Sequence, residues 1–210
     1  MIVVHHLNDS RSHRILWLLE ELGVPYELKT YARDATTRLA PPELKAIHPL
    51  GKSPVVTEGE TTIIESGAII DYIIRRHAGG RLAPDPQSFA YDSYQQWLHY
   101  AEGSAMLPLM LFMYVGRLGD AAAPLLPRIN DEIANHLGYV DAHLAGKDWI
   151  LGSEFSGADV QMSFVGEVTN AFGRLGTYPN LKAWVDRFQA RPAYRKALDK
   201  GGAYNLGPKS

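Results

Sequence analysis

The first thirty residues constrain the fold more than any other stretch. IVVHHL (Ile2–Leu7) is a short β-branched run suited to a buried strand. Ile15, Leu18, Leu19 and Leu22 follow at i, i+3, i+4 and i+7, one face of an amphipathic helix. Gly23 and Pro25 end that helix. Tyr26, Leu28 and Thr30 then alternate with Glu27, Lys29 and Tyr31, which is a strand again. Strand, helix and strand in so short a span predict a parallel pair joined by a right-handed crossover.

A polar stretch with Pro41 and Pro42 comes next, with a short helix running to Ile47. Val55–Thr57 and Thr61–Ile64 flank Glu58-Gly59-Glu60, the pattern of a hairpin with a glycine turn. Ser66 to His77 is helical, with Ile69, Tyr72 and Ile73 on one side. Residues 78–88 hold Gly79, Gly80, Pro84 and Pro86 and read as a linker. Beyond it the strand period disappears. Phe89–Arg117 reads as a long helical region bent at Pro108. Pro127–Leu144 carries Ile129, Ile133, Leu137, Val140 and Leu144 at helical spacing. Ser156–Phe172, Asn180–Ala190 and a short piece after Pro192 complete an all-α half. The predicted architecture is an α/β domain over 1–78, a linker over 79–88 and a helical domain over 89–210.

Composition narrows the function classes. Hydrophobic residues are 46% and charged residues 21% of 210, which suits a globular chain with a sizeable core. A net charge of -2 gives no reason to expect nucleic acid or an anionic membrane as partner. No apolar run is expected to span a bilayer. The N-terminus lacks a basic start followed by an apolar signal core, so the expected location is the cytoplasm. There is no cysteine, which excludes a disulfide or a cysteine nucleophile. Sulfur chemistry would need a sulfur-bearing ligand. The histidines are scattered, and His5-His6 has no partner at metal-ligand spacing, which argues against a metal.

Four segments can carry chemistry. In HPLGKSPVV, His48 to Val56, Pro54 precedes the valine pair of a strand although proline cannot donate a ladder hydrogen bond. A cis Ser53–Pro54 bond would turn the Ser53 backbone toward an extended peptide ligand. Glu65 and Ser66 open a helix. They suit N-capping, and equally the capture of a carboxylate at the helix N-terminus and an ammonium at Glu65. In the loop NDSRSHR, Asn8 to Arg14, either Ser10 or Ser12 is expected to cap the next helix. The other is then able to aim its hydroxyl at a ligand thiolate. No histidine or aspartate partner is evident for a nucleophilic serine. Met106, Met110 and Met113, with Tyr114, form a soft apolar stripe suited to core packing, a dimer face or an adaptable pocket. FSGADV is structural: Ser156 and Asp159 have capping-box spacing, and Phe155 with Val160 the staple positions.

HPLGKSPVV, ESGAIIDYI, the linker, the all-α half, FSGADV and the closing YPNLKAWVDRFQARPAY together resemble the cytosolic glutathione transferases along nearly the whole chain. SRSHRILWLLEELGVPYE and PPELKAIHPLGKSP are most similar to a bacterial and fungal subgroup without a catalytic cysteine. The resemblance implies a thioredoxin-like N-terminal domain, a helical C-terminal domain and a homodimer. It implies glutathione as co-substrate, no metal, and a small, mostly apolar electrophile. Ser53 would pair its backbone with the cysteinyl part beside cis-Pro54, and Lys52 would approach the glycyl carboxylate. Glu65 and Ser66 would hold the γ-glutamyl end. No tyrosine precedes Tyr26, and Arg14 fits the arginine of the family's catalytic loop, which puts Ser10 in the serine position. Ser12 and His13 stand where that loop has proline and cysteine, so Ser12 is the second candidate. The thiolate would attack an electrophilic carbon in a pocket between the domains, with Met106, Met110, Met113 and Tyr114 supplying part of it. A glutathione-dependent disulfide reductase or peroxidase and a non-catalytic glutathione-binding scaffold are the competing readings.

Overall fold

A computed structural model of the chain describes residues 1–206. Residues 207–210 of the expected helical domain lie outside the described residues. The chain divides into two compact units, one of Met1–Pro84 with Phe188–Leu206 and the other over Asp85–Arg187.

The first unit contains β1 (Ile2–Leu7), α1 (His13–Leu22), β2 (Tyr26–Tyr31), α2 (Glu43–Ile47), β3 (Val55–Glu58), β4 (Thr61–Ile63) and α3 (Ser66–His77). The sheet order is β2-β1-β3-β4. β1 pairs parallel to β2, from Ile2 opposite Tyr26 to Leu7 opposite Tyr31. It pairs antiparallel to β3, and β3 to β4. β1 is therefore an inner strand, which accounts for its nearly continuous burial. Gly59, at φ 58, makes the hairpin turn. Gly23 ends α1 in the left-handed conformation, its N–H bonded to the Leu19 carbonyl.

The second unit is helical. It holds α4 (Phe89–Tyr100), a π-helical turn (Ala101–Ala105), α5 (Met106–Val115), a 3-10 segment (Gly116–Ala122), α6 (Leu126–Leu144), α7 (Gly157–Ala171) and most of α8 (Pro179–Gln189). The expected bend appears as a π turn just before Pro108. Proline lacks an N–H and its ring crowds the carbonyl four residues back, here Ser104, so a widened turn relieves the clash. Phe89–Ala122 nonetheless spans 34 residues, long and apolar enough by length and composition to cross a membrane, with a kink at Gly119. This corrects the expectation that no apolar run is long enough: Pro108 disturbs the helix without ending it.

The last helix, α9 (Pro192–Gly201), belongs to the first unit. Its attachment to α1 is both apolar and ionic. Trp17, Phe188 and Tyr194 form an aromatic cluster with centroids 5.1 to 5.5 Å apart. Arg191 donates to both oxygens of Glu21, at 2.5 and 2.8 Å. Lys196 and Lys200 pair with the two oxygens of Glu20, which also accepts the Tyr26 hydroxyl. Burial opposes ionisation of Glu20, but these partners hold its pKa at about 2.

Candidate functional site

The loop after β1 carries the first part of the site. Ser10 is 4% exposed and Ser12 is fully buried. Their hydroxyl oxygens are 2.7 Å apart. Ser10 Oγ also accepts the Ser12 N–H at 3.2 Å, a serine turn leading into α1. Ser12 directly precedes α1 but makes no side-chain capping bond, so the expected hydroxyl cap is absent. The reason is local competition. Ser12 Oγ is drawn back to β1, where it accepts the Leu7 N–H at 3.3 Å and lies 2.7 Å from His6 Nδ1.

His6 is the partner that the serines lacked in the sequence. Its Nε2 is 2.8 Å from the Gly201 carbonyl at the end of α9. A carbonyl only accepts, so Nε2 carries the hydrogen. In the neutral ring Nδ1 is then the acceptor, and Ser12 donates to it. Burial lowers the His6 pKa below the usual histidine value, against the opposing pull of the Gly201 carbonyl and Asp9. His13 packs edge-on to His6 at 4.7 Å and against Tyr204 at 4.3 Å. Burial, then His6, lowers the His13 pKa to about 3.

Asp9 clamps the loop. It has φ 51, a left-handed value that aspartate tolerates better than most residues. One carboxylate oxygen pairs with Arg38 Nη2 at 2.5 Å, and the other accepts the Asn205 N–H at 2.7 Å. Arg33 adds bonds to the Asn8 and Asp9 carbonyls.

The second part is the turn before β3. The Ser53–Pro54 bond is cis. Ser53 Oγ donates to the His5 carbonyl at 2.8 Å and accepts the Leu7 N–H at 3.2 Å. That single N–H thus lies within reach of both Ser12 and Ser53, which brings the turn beside the serine loop. Pro54 is buried and Lys52 exposed.

The third part opens α3. Glu65 has φ 65 and ψ 115, a strained value for a residue with a Cβ that costs about 1–3 kcal/mol. Its exposed side chain makes no capping bond, and Ser66 already lies inside the helix, so neither acts as a side-chain cap. Instead, buried Ser66 Oγ accepts from Arg14 Nη1 at 3.1 Å. A buried guanidinium behind a helix N-terminus makes that corner electropositive and suited to a carboxylate.

The structure thus brings Ser10, Ser12 and the Ser53–Pro54 turn to the end of β1 and ties Ser66 to α1 through Arg14, with Lys52 and Glu65 as exposed neighbours. Met106, Met110, Met113 and Tyr114 lie in the second unit. Met106 is buried, Met110 and Met113 are half-buried, and Tyr114 is 53% exposed beneath the Arg117 guanidinium. A cavity of about 240 Å³ in that unit is lined by Trp97, Tyr139 and His143 among others, and by none of these four. Sequence reasoning missed His6, Asp9 and Gly201, and took Arg14 only as a landmark. One signal was available: period-two alternation puts His6 on the same strand face as Ile2 and Val4.

The two halves of the chain match the models of the glutathione S-transferase N-terminal domain, over residues 1–75, and C-terminal domain, over residues 104–192. The chain belongs to the glutathione S-transferase family. Among its relatives is glutathione S-transferase 3 of Schizosaccharomyces pombe, 35% identical, with the alignment covering 95% of this chain and 88% of the relative. A crystal structure of a glutathione S-transferase from Actinobacillus pleuropneumoniae is 36% identical, with a TM-score of 0.85, covering 100% of this chain and 97% of that one. A glutathione transferase family member from Pseudomonas fluorescens, with two glutathiones bound, is 27% identical with a TM-score of 0.79, covering 94% and 92% of the two chains. Family membership supports a glutathione transferase activity in the broad sense.

Proposed function

We propose that this protein conjugates the thiolate of glutathione to small, mostly apolar electrophiles. The observation that carries the reading is the sharing of the Leu7 N–H by the serine loop and the Ser53–Pro54 turn, with Arg14 of the following helix bonded to Ser66 at the start of α3. In this reading the Ser53 backbone pairs with the cysteinyl part of the tripeptide. Lys52 faces the glycyl carboxylate, while Glu65 takes the γ-glutamyl ammonium and Ser66 its carboxylate. The thiol lies at Ser10, whose hydroxyl stabilises the thiolate. The sulfur forms its new bond to an electrophilic carbon as that carbon's leaving group departs. The protein acts in the cytoplasm as a homodimer and needs no metal.

The test is Ser10→Ala. The ratio of bound thiolate to thiol near pH 7, read from thiolate ultraviolet absorbance, falls about tenfold if the thiol pKa rises by about one unit. An unchanged titration overturns the Ser10 assignment. Calorimetry with glutathione tests the reading as a whole: no heat at millimolar ligand overturns it. The P. fluorescens relative holds two glutathiones, which favours glutathione-dependent disulfide reduction as a second reading. Turnover of an aryl halide against that of a mixed disulfide separates the two.

A further inference from the structure

Ser10, Ser12 and His6 stand in one line that ends on a backbone carbonyl. The oxygens of the two serines are 2.7 Å apart, Ser12 Oγ is 2.7 Å from His6 Nδ1, and His6 Nε2 is 2.8 Å from the Gly201 carbonyl. The carbonyl fixes the direction of the whole line. Nε2 must donate to Gly201, so Nδ1 accepts from Ser12, at a shorter distance than the competing Leu7 carbonyl 3.2 Å from Ser12 Oγ, and Ser12 Oγ accepts from Ser10. In this resting direction the Ser10 hydrogen points at Ser12 and is not available to a thiolate. The Ser12 hydrogen cannot turn to Ser10 while His6 is neutral, because two lone pairs would then face each other at 2.7 Å. Ser10 becomes a donor to sulfur only if the line reverses, and reversal requires a second hydrogen on His6.

We propose that His6, acting through Ser12, receives and keeps the proton that glutathione gives up at Ser10. The inference rests on the conjugation reading above. The thiol hydrogen passes to Ser10 Oγ as Ser10's own hydrogen passes to Ser12 Oγ and Ser12's to His6 Nδ1. One S–H bond breaks and one N–H bond forms. Both serines remain neutral hydroxyls, and the products are a thiolate and an imidazolium. The line then runs the other way: His6 donates to Ser12, Ser12 to Ser10, and Ser10 to the sulfur. His6 is thus a positioning residue that never touches the ligand.

The 1% exposure of the ring lowers its pKa, so the proton is held only while the thiolate at the far end of the line balances its charge. Two features of the surroundings offset that burial. Gly201 closes α9, so the carbonyl facing Nε2 belongs to the negative end of a helix, where a cation is favoured. Asp9, from the loop, also favours the charged ring. His13, from α1, opposes it only when charged, and burial keeps His13 neutral. Lys200, in the same turn as Gly201, is paired with Glu20. Thr30, opposite His6 in β2, carries no charge.

The experiment counts protons. Glutathione is added to the full chain near pH 7 in weak buffer with a pH indicator, and thiolate is read by its absorbance. S-methylglutathione, which has no thiol, supplies the blank. The expected result for the unaltered protein is thiolate formation with far less than about one proton released per site beyond the blank. Ser12→Ala breaks the line at its middle, and His6→Asn keeps an acceptor near Nδ1 that cannot hold a proton. Each is expected to lower the thiolate-to-thiol ratio about tenfold, with the residual thiolate releasing its proton to the buffer. S-methylglutathione binding reports that each variant is folded, and Ser12→Ala suffices if His6→Asn fails that control. Release of about one proton per thiolate in the unaltered protein overturns the relay and leaves the conjugation reading standing. So does an unchanged thiolate titration in Ser12→Ala. Failure of both ligands to bind overturns the conjugation reading, and the relay with it.

Discussion

Gly201 occupies a point where three side chains meet. A Cβ there would fall 2.7 Å from His13 Cε1, 2.7 Å from Leu16 Cδ1 and 3.0 Å from His6 Cε1. The missing side chain lets the last carbonyl of α9 come within hydrogen-bond distance of His6. Gly201→Ala is therefore predicted to destabilise the chain by about 1–3 kcal/mol, the usual range for overpacking a filled site. The check is the urea unfolding midpoint; an unchanged midpoint refutes the crowding argument. None of this was legible in the sequence. Gly201-Gly202 reads as an ordinary helix stop, because a glycine kept for lack of room and a glycine kept for its dihedral angles look alike. Glu65 is the converse case. Its left-handed φ would have called for glycine, and nothing in the letter Glu announces it. Ser10 and Ser12 were legible as the polar residues of a loop at the carboxyl edge of a strand. Their link to His6 was not: alternation gives the strand face of His6 but not which loop folds back onto that face.

At the scale of elements, the start of α7 shows how far a local motif can be read. Ser156 and Asp159 form the expected capping box: Ser156 Oγ accepts the Ala158 N–H and Asp159 Oδ2 accepts the Ser156 N–H. Tertiary structure adds two donors to the same carboxylate. The Ile150 N–H and the Trp184 indole N–H reach Asp159 Oδ1 at 2.8 and 2.9 Å. Asp159 therefore ties α8 and the residues before α7 to the α7 N-terminus. Asp159→Ala leaves these buried donors without an acceptor, each at a cost of about 1–3 kcal/mol. The predicted loss is at least about 3 kcal/mol, larger than a surface cap contributes. Denaturant unfolding measures it, and a loss near 1 kcal/mol would reduce Asp159 to a local cap. The α6 stripe needed no such help: Ile129, Ile133, Leu137, Val140 and Leu144 are all buried as their spacing requires. α9 was legible as a helix, but its union with the N-terminal unit was not. Spacing shows that a helix has an apolar face and is silent on what covers it.

For the whole molecule, buried histidines govern the response to acid. Burial lowers the pKa of His5, His6 and His13, the last from 6.5 to about 3. Below pH 6.5 the unfolded chain takes up protons at these sites more readily than the folded chain does without ligand. Their contribution to stability is complete above about pH 6.5 and is lost as pH falls toward 3. Asp159 acts in the opposite sense, since burial raises its carboxyl from 3.8 to about 6 and the folded chain binds that proton more tightly. The three histidines outnumber it, so a net loss is predicted. By pH 5, His13 alone accounts for roughly 2 kcal/mol. Urea midpoints at pH 7.5 and 5 test this, and His13→Leu should flatten the difference; a midpoint that rises on acidification contradicts it. The sequence by itself determined the period of every long element, the strand–helix–strand opening, the hairpin and the change to helices after the linker. These follow from side-chain spacing along one segment, and spacing survives without a partner. Tertiary structure alone decided that Ser12 turns to His6, that Arg14 backs Ser66, and that the end of α9 supplies the carbonyl orienting the histidine. Those contacts join residues up to 195 positions apart, and only the folded chain desolvates at least one partner of each, which makes the hydrogen bond directional enough to matter.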